Sequence, residues 1–158
     1  MVSEVKLFLD RSEDEIFLSQ KDLDSSIDTN IKEILGIPSE KTFYHSVISH
    51  AYYSIFYAVK AYLFQKGIRT EAPEIHKKTY LEFKKIIDTG ILDYELLRIY
   101  ESEISKAESL LNIFLLEKEK RGRFVYNLKS EANLPFARES IENAKKFVSI
   151  IKNILELS

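Results

Sequence analysis

The chain has 158 residues, enough for one domain with a single core, so residues 1–158 are expected to fold as one helical unit. Apolar residues make up 45% and charged residues 30%, which excludes disorder, and the absence of cysteine excludes disulfides, thiolate nucleophiles and cysteine-based zinc sites together. A formal charge of -2 excludes a surface that is polycationic throughout, so any nucleic-acid contact has to be local.

The first predicted helix begins at about Ser3, read as its N-cap, and carries Leu7, Ile16, Phe17 and Leu23 to Ser25 and Ser26. A short helical segment, "DTNIKEILGIP", follows, with Gly36 and Pro38 as stop signals. The second long helix, "EKTFYHSVISHAYYSIFYAVKAYLFQKG", ends at Gly67 and is apolar on almost every face, so it is expected to be the most buried. Its tyrosines (Tyr44, Tyr52, Tyr53, Tyr57 and Tyr62) read as core residues rather than as a base-stacking platform, and each hydroxyl needs a partner or water.

"RTEAP" reads as a loop, with Pro73 placed where a first helical turn tolerates proline. The next helix carries Ile75, Tyr80, Phe83 and Ile87 to a stop at Gly90, and its "HKKTYLEFKK" stretch reads as a solvated face. Asp93 is the predicted N-cap of a helix in which Leu97, Tyr100, Ile104, Ala107, Leu111 and Phe114 step 3, 4, 3, 4, 3. That helix is expected to run about 27 residues, roughly 40 Å at 1.5 Å per residue. The last helix repeats the pattern at Ala137, Ile141, Ala144, Val148, Ile151 and Leu155. No stretch sustains the two-residue alternation of a strand. The expected fold is all-α, an up-and-down antiparallel bundle of about five helices.

No apolar run approaches the ~20 residues that span a bilayer, and the N-terminus lacks a signal-peptide core, so the chain reads as cytoplasmic with no membrane contact. His45 and His50 are five residues apart, not the four that would pair them on one helix face, so no metal is expected. No cofactor is expected either. Between the last two helices lies "EKRGRFVYNLKSEANLPFARES", Glu119 to Ser140, in which Arg121 and Arg123 flank a glycine and Tyr126 follows. Basic residues at a helix end complement its negative pole, and Gly122 is a natural stop, so a plain helix end is one reading of this stretch. A phosphate-binding corner is the other, since guanidinium groups hold phosphate by forked hydrogen bonds.

The stretch "SHAYYSIFYAVKAYLFQKG" resembles a helix of the HEPN superfamily at Ser49, Ala51, Tyr52, Tyr53, Phe56, Ala58, Ala61, Leu63 and Gly67. "EIHKKTYLEFKKIIDTG" is similar to that family's next helix, and "RGRFVYN" resembles an Arg-x-Arg-x-x-Tyr element of one uncharacterised prokaryotic branch. "ESIENAKKFVSIIKNIL" shares the closing pattern at Ala144, Phe147 and Val148. The resemblance covers roughly residues 43–157. It implies a toxin-like or accessory partner of a minimal nucleotidyltransferase, or a metal-independent endoribonuclease built on Arg-x4–6-His; a structural scaffold dimer without a nucleotide ligand is the third reading.

The chain departs from that family where the chemistry lies. With Arg121 in the arginine position, the histidine position holds Tyr126 and the modifiable tyrosine position holds Leu128. With Tyr126 as the modifiable tyrosine, Glu119 and Phe124 replace arginine and histidine. A tyrosine with pKa near 10 is ionised in about one part in a thousand at pH 7, a poor base for a ribose hydroxyl. Arg69 and His76 form a formal Arg-x6-His pair, a weaker candidate because Pro73 lies between them and His76 reads as capping or packing its own helix. The expectation is therefore a homodimer that binds nucleotide or RNA phosphate through Arg121, Arg123 and Tyr126, with degenerate catalytic residues.

Overall fold

The computed structural model of the chain describes residues 2–111 and 132–157. Among them, six helices follow one another: α1 (Ser3–Ile27), α2 (Thr29–Leu35), α3 (Tyr44–Gln65), α4 (Ile75–Asp88), α5 (Tyr94–Leu111) and α6 (Leu134–Glu156). They match the predicted helices in order and type. Of the heptad on α5, Phe114 lies outside the described residues, as does any continuation of that helix past Leu111.

Local chemistry sets the boundaries. Asp28 accepts hydrogen bonds from the Asn30 and Ile31 amides to start α2, and Gly36 closes it at φ 70, a left-handed conformation that favours glycine. The Asp93 carboxylate accepts from the Glu95 amide at 2.8 Å, as its predicted capping role requires. Asn133 accepts from the Phe136 amide at 3.0 Å, with Pro135 in the tolerant first turn of α6. Two expected boundaries move. Ser3 is the first helical residue and Val2 occupies the cap, without a side-chain bond. Pro73, joined to Ala72 by a cis peptide, stands two residues ahead of α4 rather than within its first turn.

Cross-helix contacts fix the directions. Ser12 meets Ser54 and Ser19 meets Val47, so α1 and α3 are antiparallel. Lys152 meets Glu13 and Lys145 meets Gln20, so α6 opposes α1. Lys146 meets Glu95 and Lys106 meets Glu139, so α5 opposes α6. These four long helices form an up-and-down bundle, and α3 is its most buried member. Its centre is aromatic: Tyr52, Tyr62, Phe83, Tyr100 and Phe147 are essentially inaccessible to solvent.

The inward face of α1 is Val5, Leu9, Ser12, Ser19, Leu23 and Ser26, whereas Leu7 and Phe17 are exposed. The serines let the two backbones approach closely; the hydroxyls of Ser12 and Ser19 donate to carbonyls of α3, to Ser54 at 2.6 Å and to Val47 at 2.7 Å, and that of Ser26 donates to Asp22 of its own helix. After Gly67, residues 68–74 fold back along α3. The Lys60 ammonium donates to the Thr70 carbonyl at 2.5 Å, and the Thr70 and Thr79 hydroxyls pair at 2.6 Å. This return places the start of α4 beside Tyr52, and that position governs the surroundings of His76.

Candidate functional site

Arg121, Arg123 and Tyr126 lie outside the described residues. Their flanking helices are described, and a buried charge network joins these. Glu103 of α5 is 0% exposed. One of its oxygens accepts from the Lys106 ammonium and from the Asn143 amide, each at 3.0 Å. Lys106 reaches on to Glu139 at 2.7 Å and to the Ser140 hydroxyl at 3.3 Å. The other Glu103 oxygen has no hydrogen-bond partner among the described residues. A carboxylate this deep is tolerated only while its cation stays in place. The network therefore fixes α5 against α6 close to where residues 112–131 leave and return.

Arg69 and His76 are not brought together as a catalytic pair. Arg69 lies with its guanidinium 4.8 Å from the centre of the Phe64 ring. His76 packs instead on Phe56, with ring centres 4.4 Å apart, and its Nδ1 pairs with the Tyr52 hydroxyl at 2.8 Å. Burial lowers the His76 pKa and, with lesser contributions from neighbouring phenols, raises that of Tyr52 well above the ordinary value. Both shifts favour the neutral forms, so the phenol donates to a neutral imidazole. The Tyr100 ring centre lies 6.5 Å from that of Tyr52, and its buried hydroxyl has no hydrogen-bond partner among the described residues.

His50 serves the packing of α1 on α3. His50 Nδ1 lies 2.5 Å from Glu15, and its Nε2 lies 3.6 Å from Asp22. Burial raises the Asp22 pKa, and the nearby imidazoles of His50 and His45 partly offset this. His45 is on the exposed side of the first turn of α3. Among the described residues, no group of three or more histidines and carboxylates is placed to hold a metal ion.

A groove of about 340 Å³ runs between α4 and α5, lined by Lys77, Tyr80, Leu81, Ile104 and Glu108 among others. At its side the Tyr80 hydroxyl donates to Glu101 at 3.1 Å; burial and that acceptor push the Tyr80 pKa up to about 12. Neither Tyr80 nor His76 is poised to remove a proton from a ligand near neutral pH: one holds its proton too tightly, and the other's ring nitrogen is already engaged.

Among the described residues, the types best suited to an anionic ligand lie at the margin of α1 and α3, where the sequence reading named Arg69 and His76 as weaker candidates but not Arg11. Arg11 of α1 has its guanidinium 4.3 Å from the Tyr57 ring centre and donates to the Tyr57 hydroxyl at 2.7 Å. Tyr53 and Tyr57 are half-buried, unlike Tyr52 and Tyr62, so the tyrosines of α3 are not uniformly core. The available signal was the spacing of Tyr53, Tyr57, Lys60 and Phe64 at i, i+4, i+7 and i+11. Among the described residues no helix is long and apolar enough to cross a membrane. The family model of the HEPN domain matches residues 37–158. None of the curated proteins and none of the solved structures compared with the chain matches it.

Proposed function

The chain belongs to the HEPN domain family, and from that premise we propose that it acts as the toxin-like or accessory partner of a minimal nucleotidyltransferase, binding nucleotide or RNA phosphate with degenerate catalytic residues. The observation that carries this reading is the state of the two half-buried histidines, His76 and His50, the third, His45, being exposed. His76 is committed to Tyr52 and the Phe56 ring, and His50 to two carboxylates, so neither is left to activate a ribose hydroxyl. Binding asks less of the chain. Arg121 and Arg123 supply forked donors for phosphate, and Tyr126 supplies a hydroxyl that a partner enzyme can adenylylate.

In this reading the protein is a homodimer with Arg121 and Tyr126 near the two-fold axis, where two copies of the arginine element make one cationic site. Light scattering at high micromolar concentration is expected to give twice the chain mass; a monomer there removes the shared site.

The functional test is direct. Incubated with a minimal nucleotidyltransferase and labelled ATP, the wild type is expected to take up label, and Tyr126→Phe, which keeps the ring, is expected to take up none. Arg121→Ala with Arg123→Ala should fold normally yet bind nucleotide or RNA more weakly by about 1–3 kcal/mol per arginine. Equal labelling of the Tyr126→Phe variant, or unchanged binding of the double arginine variant at low salt, contradicts the proposal. RNA cleavage that survives a chelator and disappears in His76→Ala favours the endoribonuclease reading instead.

A further inference from the structure

We infer that the margin of α1 and α3 is a second ligand surface, a strip of ring-backed arginines that takes the phosphates of single-stranded nucleic acid. It deepens the reading above in its ligand class, yet it uses none of Arg121, Arg123 and Tyr126.

The rings form a continuous row. Phe8 of α1 lies 6.2 Å from Phe64 and 6.5 Å from Tyr57, centre to centre. Tyr53 stacks beside Tyr57 at 6.4 Å, and His76 closes the row at 5.9 Å from Tyr53. All five side chains are half-buried, so the row is anchored in the core and still reaches the surface.

Two exposed arginines lie on this row, Arg11 on Tyr57 and Arg69 on Phe64. Among the described residues neither forms an ion pair, and one bond from Arg11 to the Tyr57 hydroxyl is the only hydrogen bond that either guanidinium makes. A ring holds a guanidinium flat without consuming its N–H donors, whereas a carboxylate partner would occupy them. Tyr57 and Phe64 are separated by about 10 Å of helix, so the two cations can meet separate phosphates of one strand.

Lys60 sits between them but is structural: its ammonium is tied to the Thr70 carbonyl and hydroxyl, and Glu71 acts on it. Glu4 and Glu71 line a recess of about 170 Å³ at the Arg69 end. These carboxylates offset part of the attraction, and the two arginine–phosphate contacts that remain are strongest at low salt, where binding is expected. A single strand suits the row because its bases are free to stack on rings and guanidinium planes, whereas a duplex keeps them paired inside. An acidic peptide would use the arginines and leave the rings idle.

The test is fluorescence anisotropy with a labelled single-stranded oligoribonucleotide at low salt. The Arg11→Gln/Arg69→Gln variant should bind about tenfold or more weakly, and losing two phosphate contacts should lower the salt slope by roughly 1.4. Arg69→Lys, which keeps the charge but not the plane, should fall between. Unchanged affinity in the double variant, with its melting curve also unchanged, overturns the strip. If Arg121→Ala/Arg123→Ala alone abolishes binding, the strip fails while the reading of the preceding subsection stands. If the wild type binds no oligonucleotide, the strip falls, and labelling of Tyr126 still decides the nucleotidyltransferase partnership independently. Equal binding of a duplex, or equal displacement by polyglutamate, overturns the assignment to single strands.

Discussion

At the seam of α5 and α6 a cation is held by carboxylates; at the margin of α1 and α3 cations are held by rings. Lys106 is shielded and shared between Glu103 and Glu139, and Glu103 has no access to water. Arg11 and Arg69 are exposed, rest on Tyr57 and Phe64, and have no carboxylate partner among the described residues. The first arrangement is a requirement of burial, since an ion in the interior must be compensated. The second orients a charge while leaving it available to a ligand. Among charged groups, the partner therefore separates the positions that hold the fold from those that can hold a phosphate.

The largest expected effect breaks the seam. Lys106→Met leaves the Glu103 carboxylate buried with only the Asn143 amide against it, and should cost about 3–5 kcal/mol in a denaturant titration. Adding Glu103→Gln removes the stranded charge and should restore part of that loss. A cost below about 1 kcal/mol for Lys106→Met would show the seam to be as open to water as the margin, and the contrast would vanish.

Between the extremes stands the half-buried pair of Tyr52 and His76. Tyr52→Phe keeps the packing but leaves the imidazole nitrogen without its donor, and should cost about 1–2 kcal/mol. The same pair gives a pH dependence. The folded His76 has a pKa below the unfolded value of 6.5, so its neutral form is favoured in the fold. The stability tied to that neutral form is fully present above pH 6.5 and is lost as pH falls through the lower folded pKa. Thermal melts of the wild type should show that decline, and His76→Gln should flatten it. An equal decline in the variant assigns the effect to other groups.

The smallest stability effect sharpens the comparison from the other side. Arg11→Gln and Arg69→Gln should each cost about 0.5 kcal/mol, the scale of an exposed cation–ring contact. A loss of several kcal/mol at either position would mean that the arginine serves the fold as Lys106 does, and that the ligand strip has been misassigned.

The helices were legible because their signals are local. Gly36, Gly67 and Gly90 all adopt positive φ at or just beyond helix ends, and the 3-4 spacing marks residues that are in fact buried, Leu97, Tyr100, Ile104 and Ala107 on α5 and the full set on α6. The inward face of α1 was not legible as an apolar pattern, because Ser12, Ser19 and Ser26 occupy core positions. Only the fold reveals that the first two hydroxyls reach carbonyls on α3. The tyrosines of α3 were read alike because an all-round apolar helix carries no periodicity to tell core from margin. Arg11 and Tyr57 are 46 residues apart in sequence, so no local pattern announces their contact. Arg69 and His76 form a motif by spacing alone; the return of residues 68–74 along α3 gives each a different partner. For Arg121, Arg123 and Tyr126 the sequence pattern remains the basis of the assignment.

The central claim is that this HEPN protein holds RNA by its phosphates and does not cut it. One measurement tests it most directly: recovery of an end-labelled single-stranded oligoribonucleotide from its complex with the purified protein, formed at low salt with a chelator present. The account predicts a complex whose RNA is recovered at full length after prolonged incubation. RNA that fails to enter a complex, or that is recovered shortened, contradicts it.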